Sequence, residues 1–244
     1  NDAVLADVVR LVAGNPLHAQ PGTSWEYSVA TDVLGRLVEV LGGKPLDEIL
    51  QERIFGPLGM VDTAFQVRTD QLPRFSALFN AKDGGTALHD PADQGSSWAR
   101  PVTLFSGGGG LVSTVGDYLR FTEAMRRKGE LEGARILGRR TVELMALNHL
   151  PGNVDLTAMG QPVFSETSFD GVGFGLGFSV VMDSAATKGA CSVGELAWGG
   201  AASTAFWIDP VEEISVVFMT QVMPSSSYPV RRELRALVYQ SLVD

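Results

Sequence analysis

Apolar residues recur at helical spacing through the first part of the chain and switch to strand-like alternation in the last third. Val4, Leu5, Val8, Val9 and Val12 predict a short helix from Asp2 to Ala13, ended by Gly14-Asn15-Pro16. Pro21-Gly22 makes a turn. Ala30, Val33, Leu34, Leu37, Val38 and Leu41 then predict a strongly amphipathic helix, closed by Gly42-Gly43. Pro45 suits the first turn of another helix, with Leu46, Ile49, Leu50 and Ile54 inward and Gly56-Pro57-Leu58-Gly59 as its stop.

Residues 66–103 read as irregular, apart from a hairpin turn within Asn80 to His89 centred on Asp83-Gly84-Gly85. Thr114 predicts the cap of a helix running to Lys128, with Asp117 in a capping-box position and Gly129 as the stop. A further helix is predicted from Arg139 to Leu147. The run Val172 to Val180 alternates glycine with apolar residues and predicts one strand with a closely approached face. Trp198-Gly199-Gly200 reads as a strand start. Ala201 to Ile208 and Ile214 to Gln221 predict two strands joined by a hairpin at Asp209-Pro210, and Tyr228 to Leu242 a closing helix. Helices first and an antiparallel sheet last predict an α+β fold. Residues 1–170 form the mainly helical lobe of this reading. Residues 171–244 hold the antiparallel strands and the C-terminal helix.

Composition narrows the function. With 244 residues, 45% of them apolar, the chain can bury a substantial core. A net charge of −9 argues against a nucleic-acid partner, which needs clustered cations. Arg126-Arg127, Arg139-Arg140 and Arg231-Arg232 read as solvated helix faces beside glutamates. Cys191 is the single cysteine, so no intrachain disulfide forms. That fits a reducing compartment while leaving periplasmic or secreted locations open. Cys191 itself reads as structural. No run reaches the roughly 18 apolar residues of a membrane span. The three histidines stand far apart and outside any metal motif, so each reads as a satisfied surface or core residue; neither metal nor cofactor is expected. Ser106 to Gly110 is not followed by Gly-Lys-Ser/Thr, and residues 171–177 miss the dinucleotide spacing. No G-x-S-x-G elbow is present.

Two constellations remain. Pro21-Gly22-Thr23-Ser24-Trp25-Glu26-Tyr27-Ser28 sets a phenol, Tyr27, at a loop-to-helix junction beside a small hydroxyl. Alone it reads as proton-transfer group or as packing aromatic. Trp198-Gly199-Gly200-Ala201 marks close backbone approach. Between them stand Glu52-Arg53-Ile54-Phe55-Gly56-Pro57-Leu58-Gly59-Met60, the Ser106–Gly110 run and the Gly-x-Gly-Leu-Gly-Phe stretch. In this order, from Val4 to Val243, the chain resembles the serine β-lactamase-related hydrolases: class C β-lactamases, penicillin-binding DD-peptidases and family VIII carboxylesterases.

The resemblance implies a β-lactamase/transpeptidase-like fold and acyl transfer through a covalent acyl-serine on a small ester or amide. It makes Tyr27 the proton-transfer residue of a Tyr-x-Asn motif and puts Val29 where lactamases keep the asparagine. Trp198, Gly199 and Gly200 fall on the third motif, with the Ala201 N–H as half of the oxyanion hole. Ser106 and Gly109 fall in the segment flanking the acyl side. Loss of the asparagine, and of lysine at Trp198, points from β-lactams toward esters. A β-lactamase, a D-amino-acid peptidase and an acyltransferase remain the alternatives of the same family. A non-catalytic binding module is the alternative of another class.

The family's Ser-x-x-Lys is missing. The residues three before Lys44, Lys82, Lys128 and Lys188 are Leu41, Phe79, Met125 and Ala185. The N-terminal strands and the motif are therefore expected on a segment outside this chain, either upstream of it or on a second chain. The 244 residues alone are expected to be inactive, and to leave a sheet edge open near the closing helix.

Overall fold

The computed structural model describes residues 3–159 and 168–243, so the expected helix start at Asp2 lies outside the described residues. The helical part opens with α1 (Leu5–Ala13) and α2 (Ala30–Gly42). Next, α3 (Leu46–Leu50) continues through a wide turn at Gln51–Phe55 into α4 (Gly56–Leu58). The wider turn carries the chain past Pro57, which has no N–H to donate. The hairpin β1 (Leu78–Lys82) and β2 (Gly85–Asp90) follows. After it come α5 (Val115–Arg126), the small ribbon β3 (Glu130–Leu131) and β4 (Ala134–Arg135), α6 (Arg139–Met145) and α7 (Leu156–Met159). The last third holds β5 (Val172–Phe174), β6 (Ser179–Val181), α8 (Ser184–Thr187), β7 (Leu196–Gly199), β8 (Ala205–Asp209), β9 (Ile214–Phe218), β10 (Val222–Met223) and α9 (Val230–Tyr239).

An antiparallel sheet in the order β5-β6-β7-β8-β9 is the frame of the molecule. One face packs on α5 and α6 through Met125, Val142, Phe178, Val180, Leu196, Phe206 and Ile208. The other receives α9, whose Arg235 lies 4.8 Å over the Trp207 ring. Smaller apolar clusters join α4 to α5 (Phe55, Leu58, Ala124) and α1 to α3 (Leu5, Leu46). A second sheet, β10-β1-β2, pairs Phe79 with Val222, so residues before and after 170 share one ladder. Among the described residues, β9 forms an outer edge of the larger sheet.

Several expectations change. The glycine-alternating run is a hairpin, not one strand: Val172 pairs with Val181, and the Gly175 N–H returns to Phe178 O at 2.8 Å. Alternating glycines permit both, and the turn wins because it folds Val180 onto the core. Trp198 and Gly199 end a strand rather than start one, because Leu196 and Ala197 already pair with Ile208 and Trp207. Ala201 lies in the turn after it. Thr114 caps α5 by accepting from Asp117 N at 3.2 Å, but Asp117 does not complete the box. Its carboxylate accepts instead from Asp62 N at 2.7 Å and Thr63 Oγ1 at 2.9 Å, tying the α4 loop to α5.

The helix α2 forms where its period places it, and its orientation is a separate finding. Its apolar stripe faces outward: Leu34 is 57% exposed, Leu37 50% and Leu41 79%. The face turned into the molecule carries Asp32, Gly35 and Glu39. Gly35 is buried against Leu5, Leu46 and Gly107, and Glu39 accepts from Leu46 N at 3.2 Å.

Candidate active site

Tyr27 is held at the entrance to α2. The Ser28 hydroxyl accepts from Ala30 N at 3.1 Å, which satisfies one of the helix's free donors. Two residues earlier, Trp25 N donates to Met159 O at 3.0 Å, and the Trp25 ring packs on Phe174 at 5.1 Å. This anchoring leaves the Tyr27 side chain 60% exposed at the rim of a cavity of about 460 Å³.

Trp198, Gly199, Gly200 and Ala201 line the same cavity, from the end of β7 and the turn beyond it. Trp198 is nearly parallel to Tyr27, 6.4 Å away at 15°. It also meets Trp25 at 6.1 Å, Phe169 at 6.3 Å and Phe174 at 5.3 Å. The five rings thus form one cluster, of which Tyr27, Phe169 and Trp198 line the cavity, and it joins the two constellations that stand far apart in sequence. Ring pairs at such distances add to simple area burial.

The turn at Ala201 is a tight hairpin loop. Gly200 N donates to Thr204 O at 3.0 Å and Ser203 N to Gly200 O at 3.1 Å, with Ser203 at φ +66°. The Ser203 hydroxyl donates to Val222 O at 2.6 Å, fixing the loop against β10.

Val29, Ser106 and Gly109 are not among the residues lining the cavity. Val29 is the residue just before α2 and is half exposed. Ser106 turns to α2, donating to Asp32 Oδ1 at 2.5 Å, and Gly108 N donates to the Ser106 hydroxyl at 3.1 Å. The glycine run is shaped for this contact. A Cβ on Gly107 would lie 2.1 Å from Thr31 O, so only glycine lets the run close onto α2.

Sequence reasoning passed over three groups. Asp32 was hidden because an acidic residue in a helix's first turn has a local explanation. Arg231, expected on a solvated face, is a correction: its Nη2 donates to Gly200 O and Thr204 O, each at 2.8 Å. A cation in the first turn of α9 opposes the helix dipole, and that was the available signal. The buried cluster behind the cavity is the third. Arg235 Nη1 pairs with Glu195 Oε1 at 2.6 Å, and the Tyr239 hydroxyl lies 2.6 Å from both Glu195 and Asp209. The other basic pairs do sit beside glutamates, Arg126 on Glu123 and Arg139 and Arg140 on Glu143. Cys191 meets the Thr187 hydroxyl at 3.2 Å, and burial pushes its thiol up, away from the reactive thiolate. Among the described residues, no cluster of His, Cys, Asp and Glu could hold a metal, and no helix is long and apolar enough to cross a membrane.

A mixed sheet-and-helix body, with a tyrosine at a helix entrance facing a strand-end turn, is the architecture of the penicillin-binding and β-lactamase-like serine hydrolases. The Beta-lactamase family model matches residues 1–240, and the chain belongs to that family. Protein Rv1367c of Mycobacterium tuberculosis is 34% identical over 216 residues, covering 87% of this chain and 52% of that protein. Esterase EstB of Burkholderia gladioli is 30% identical, covering 98% of this chain and 60% of the esterase. Among solved structures, EstCE1, described as a hydrolase with promiscuous acyltransferase activity, superposes with a TM-score of 0.80 at 28% identity. That match covers 98% of this chain and 62% of EstCE1. The chain therefore spans between half and two thirds of the length of these relatives.

Proposed function

We propose that this chain supplies the tyrosine and one oxyanion donor of a serine carboxylesterase acting on small esters. The nucleophile comes from a Ser-x-x-Lys segment outside these 244 residues. One observation carries the reading: Tyr27 and the Trp198-Gly199-Gly200-Ala201 turn line one cavity. The relatives' greater length, the open β9 edge and the bare stripe of α2 all favour a missing companion segment.

In this mechanism the serine oxygen attacks the ester carbonyl and its proton passes to Tyr27. The Ala201 N–H stabilises the developing oxyanion, and the alcohol leaves with the proton held by Tyr27. Water then attacks the acyl-serine by the reverse proton path. A free phenol, with a pKa of about 10, is a poor base at neutral pH; a neighbouring ammonium favours the phenolate, and the lysine of Ser-x-x-Lys would provide it. Trp198, packed among rings, presents no charge to a substrate carboxylate. That favours neutral esters over β-lactams.

The test is to express the coding sequence extended upstream of Asn1 beside the 244-residue chain, with p-nitrophenyl butyrate and nitrocefin as substrates. We expect butyrate hydrolysis, blocked by a serine-directed inhibitor, from the extended protein alone. Tyr27→Phe should lower its kcat by roughly 100-fold or more. Inhibitor-sensitive turnover by the 244 residues alone would refute the external nucleophile. An upstream frame without Ser-x-x-Lys would instead favour the binding-module reading.

A further inference from the structure

Arg231 stands in the first turn of α9, yet its head group lies against the tip of the β7–β8 hairpin. Its Nη2 donates to two carbonyls of that one loop, Gly200 O and Thr204 O, both at 2.8 Å. Gly199 makes the room. A Cβ there would come within 2.6 Å of Nη2 and 2.7 Å of Cζ. The first glycine of Trp-Gly-Gly is thus explained by the arginine packed on it.

The Gly200 carbonyl and the Ala201 N–H belong to the same peptide group. A trans peptide is planar, so the two point in opposite directions, and whatever holds one aims the other. Ser203 N also donates to Gly200 O, at 3.1 Å, and Val222 N holds Ala202 O at 3.2 Å. The guanidinium adds what these neutral bonds cannot. A positive charge on the carbonyl oxygen draws electron density through the amide and makes its N–H a stronger donor.

We infer that Arg231 is a positioning residue for the reaction: it aims and polarises the Ala201 N–H through the Gly200 carbonyl. This rests on Ala201 being the oxyanion donor under the proposed function. The Ala201 bond strengthens as charge develops on the substrate oxygen. Loss of Arg231 should therefore fall on kcat and spare KM.

The experiment has two arms. In the extended, active protein, Arg231→Met should lower kcat for p-nitrophenyl butyrate roughly 10- to 100-fold with KM within about twofold, below the loss from deleting an oxyanion donor outright. Arg231→Lys, which can still place a charge on one carbonyl, should recover part of it. In the 244-residue chain, whose fold is checked by its melting curve, the Ala201 amide proton should shift upfield in Arg231→Met and less so in Arg231→Lys. An unmoved Ala201 resonance, or a loss confined to KM, overturns the inference. If the extended wild type hydrolyses no ester, the functional reading fails, and the amide shift still decides whether Arg231 controls this peptide.

Discussion

Glu195 and Asp209 are both buried, yet their carboxyls respond in opposite directions. Burial pushes Glu195 up, and the Arg235 partner and Tyr239 hydroxyl only partly offset it. Burial also works upward on Asp209, but the Tyr239 hydroxyl and the N–H groups of Glu212 and Val211 outweigh it and hold its carboxyl below the ordinary aspartate value. A depressed carboxyl stabilises the fold above its unfolded value and loses that contribution as pH falls through its folded one. Asp62, held down by Arg74 and Gln71, adds to the same trend. Glu195 has the opposite sign: its contribution is present at low pH and is lost as pH rises through its raised value. We expect the unfolding free energy to decline below about pH 4, and Asp209→Asn to flatten that decline. Urea titrations at a series of pH values measure the slope; an equally steep loss in the variant would remove Asp209 from this account.

At the scale of elements, α2 combines two incompatible-looking faces. Glycines let its first turns close onto the Ser106–Gly110 run, while its leucines stay outside. A leucine exposed in the isolated chain contributes little to its stability. Leu37→Lys should therefore change the urea midpoint of the 244-residue chain by less than about 0.5 kcal/mol equivalent. In the extended protein the same substitution should destabilise or abolish activity, because there the stripe would be covered. A large loss in the short chain would mean that Leu37 is already packed.

At the scale of the molecule, the sheet among the described residues ends in β9, whose Ile214-Ser215-Val216-Val217-Phe218 run is largely apolar and has no strand paired along its outer side there. Such an edge invites pairing with another chain. We expect the 244-residue chain to self-associate with rising concentration in sedimentation velocity runs, and Val216→Lys to suppress this. A strictly monomeric wild type at high concentration would show the edge to be protected.

Local rules were enough for much of this protein. The spacing of Val33 to Leu41, the Thr114 cap and the Asp83-Gly84-Gly85 turn each placed an element, because helix period, capping and turn chemistry act within a few residues. Motif order likewise made Tyr27 and Trp198 legible as candidates. Direction was not legible. The period of α2 showed that it has an apolar face, and only its partners, Leu5, Leu46 and Gly107, decided that this face would look outward. The alternating glycines of 172–180 allowed strand or hairpin until Val180 met the core. The Arg231-Arg232 pair looked like any solvated basic pair until α9 was laid across β7 and β8. Long-range packing decides which side of an element is buried and which distant carbonyl an arginine reaches, and no window of sequence contains that information.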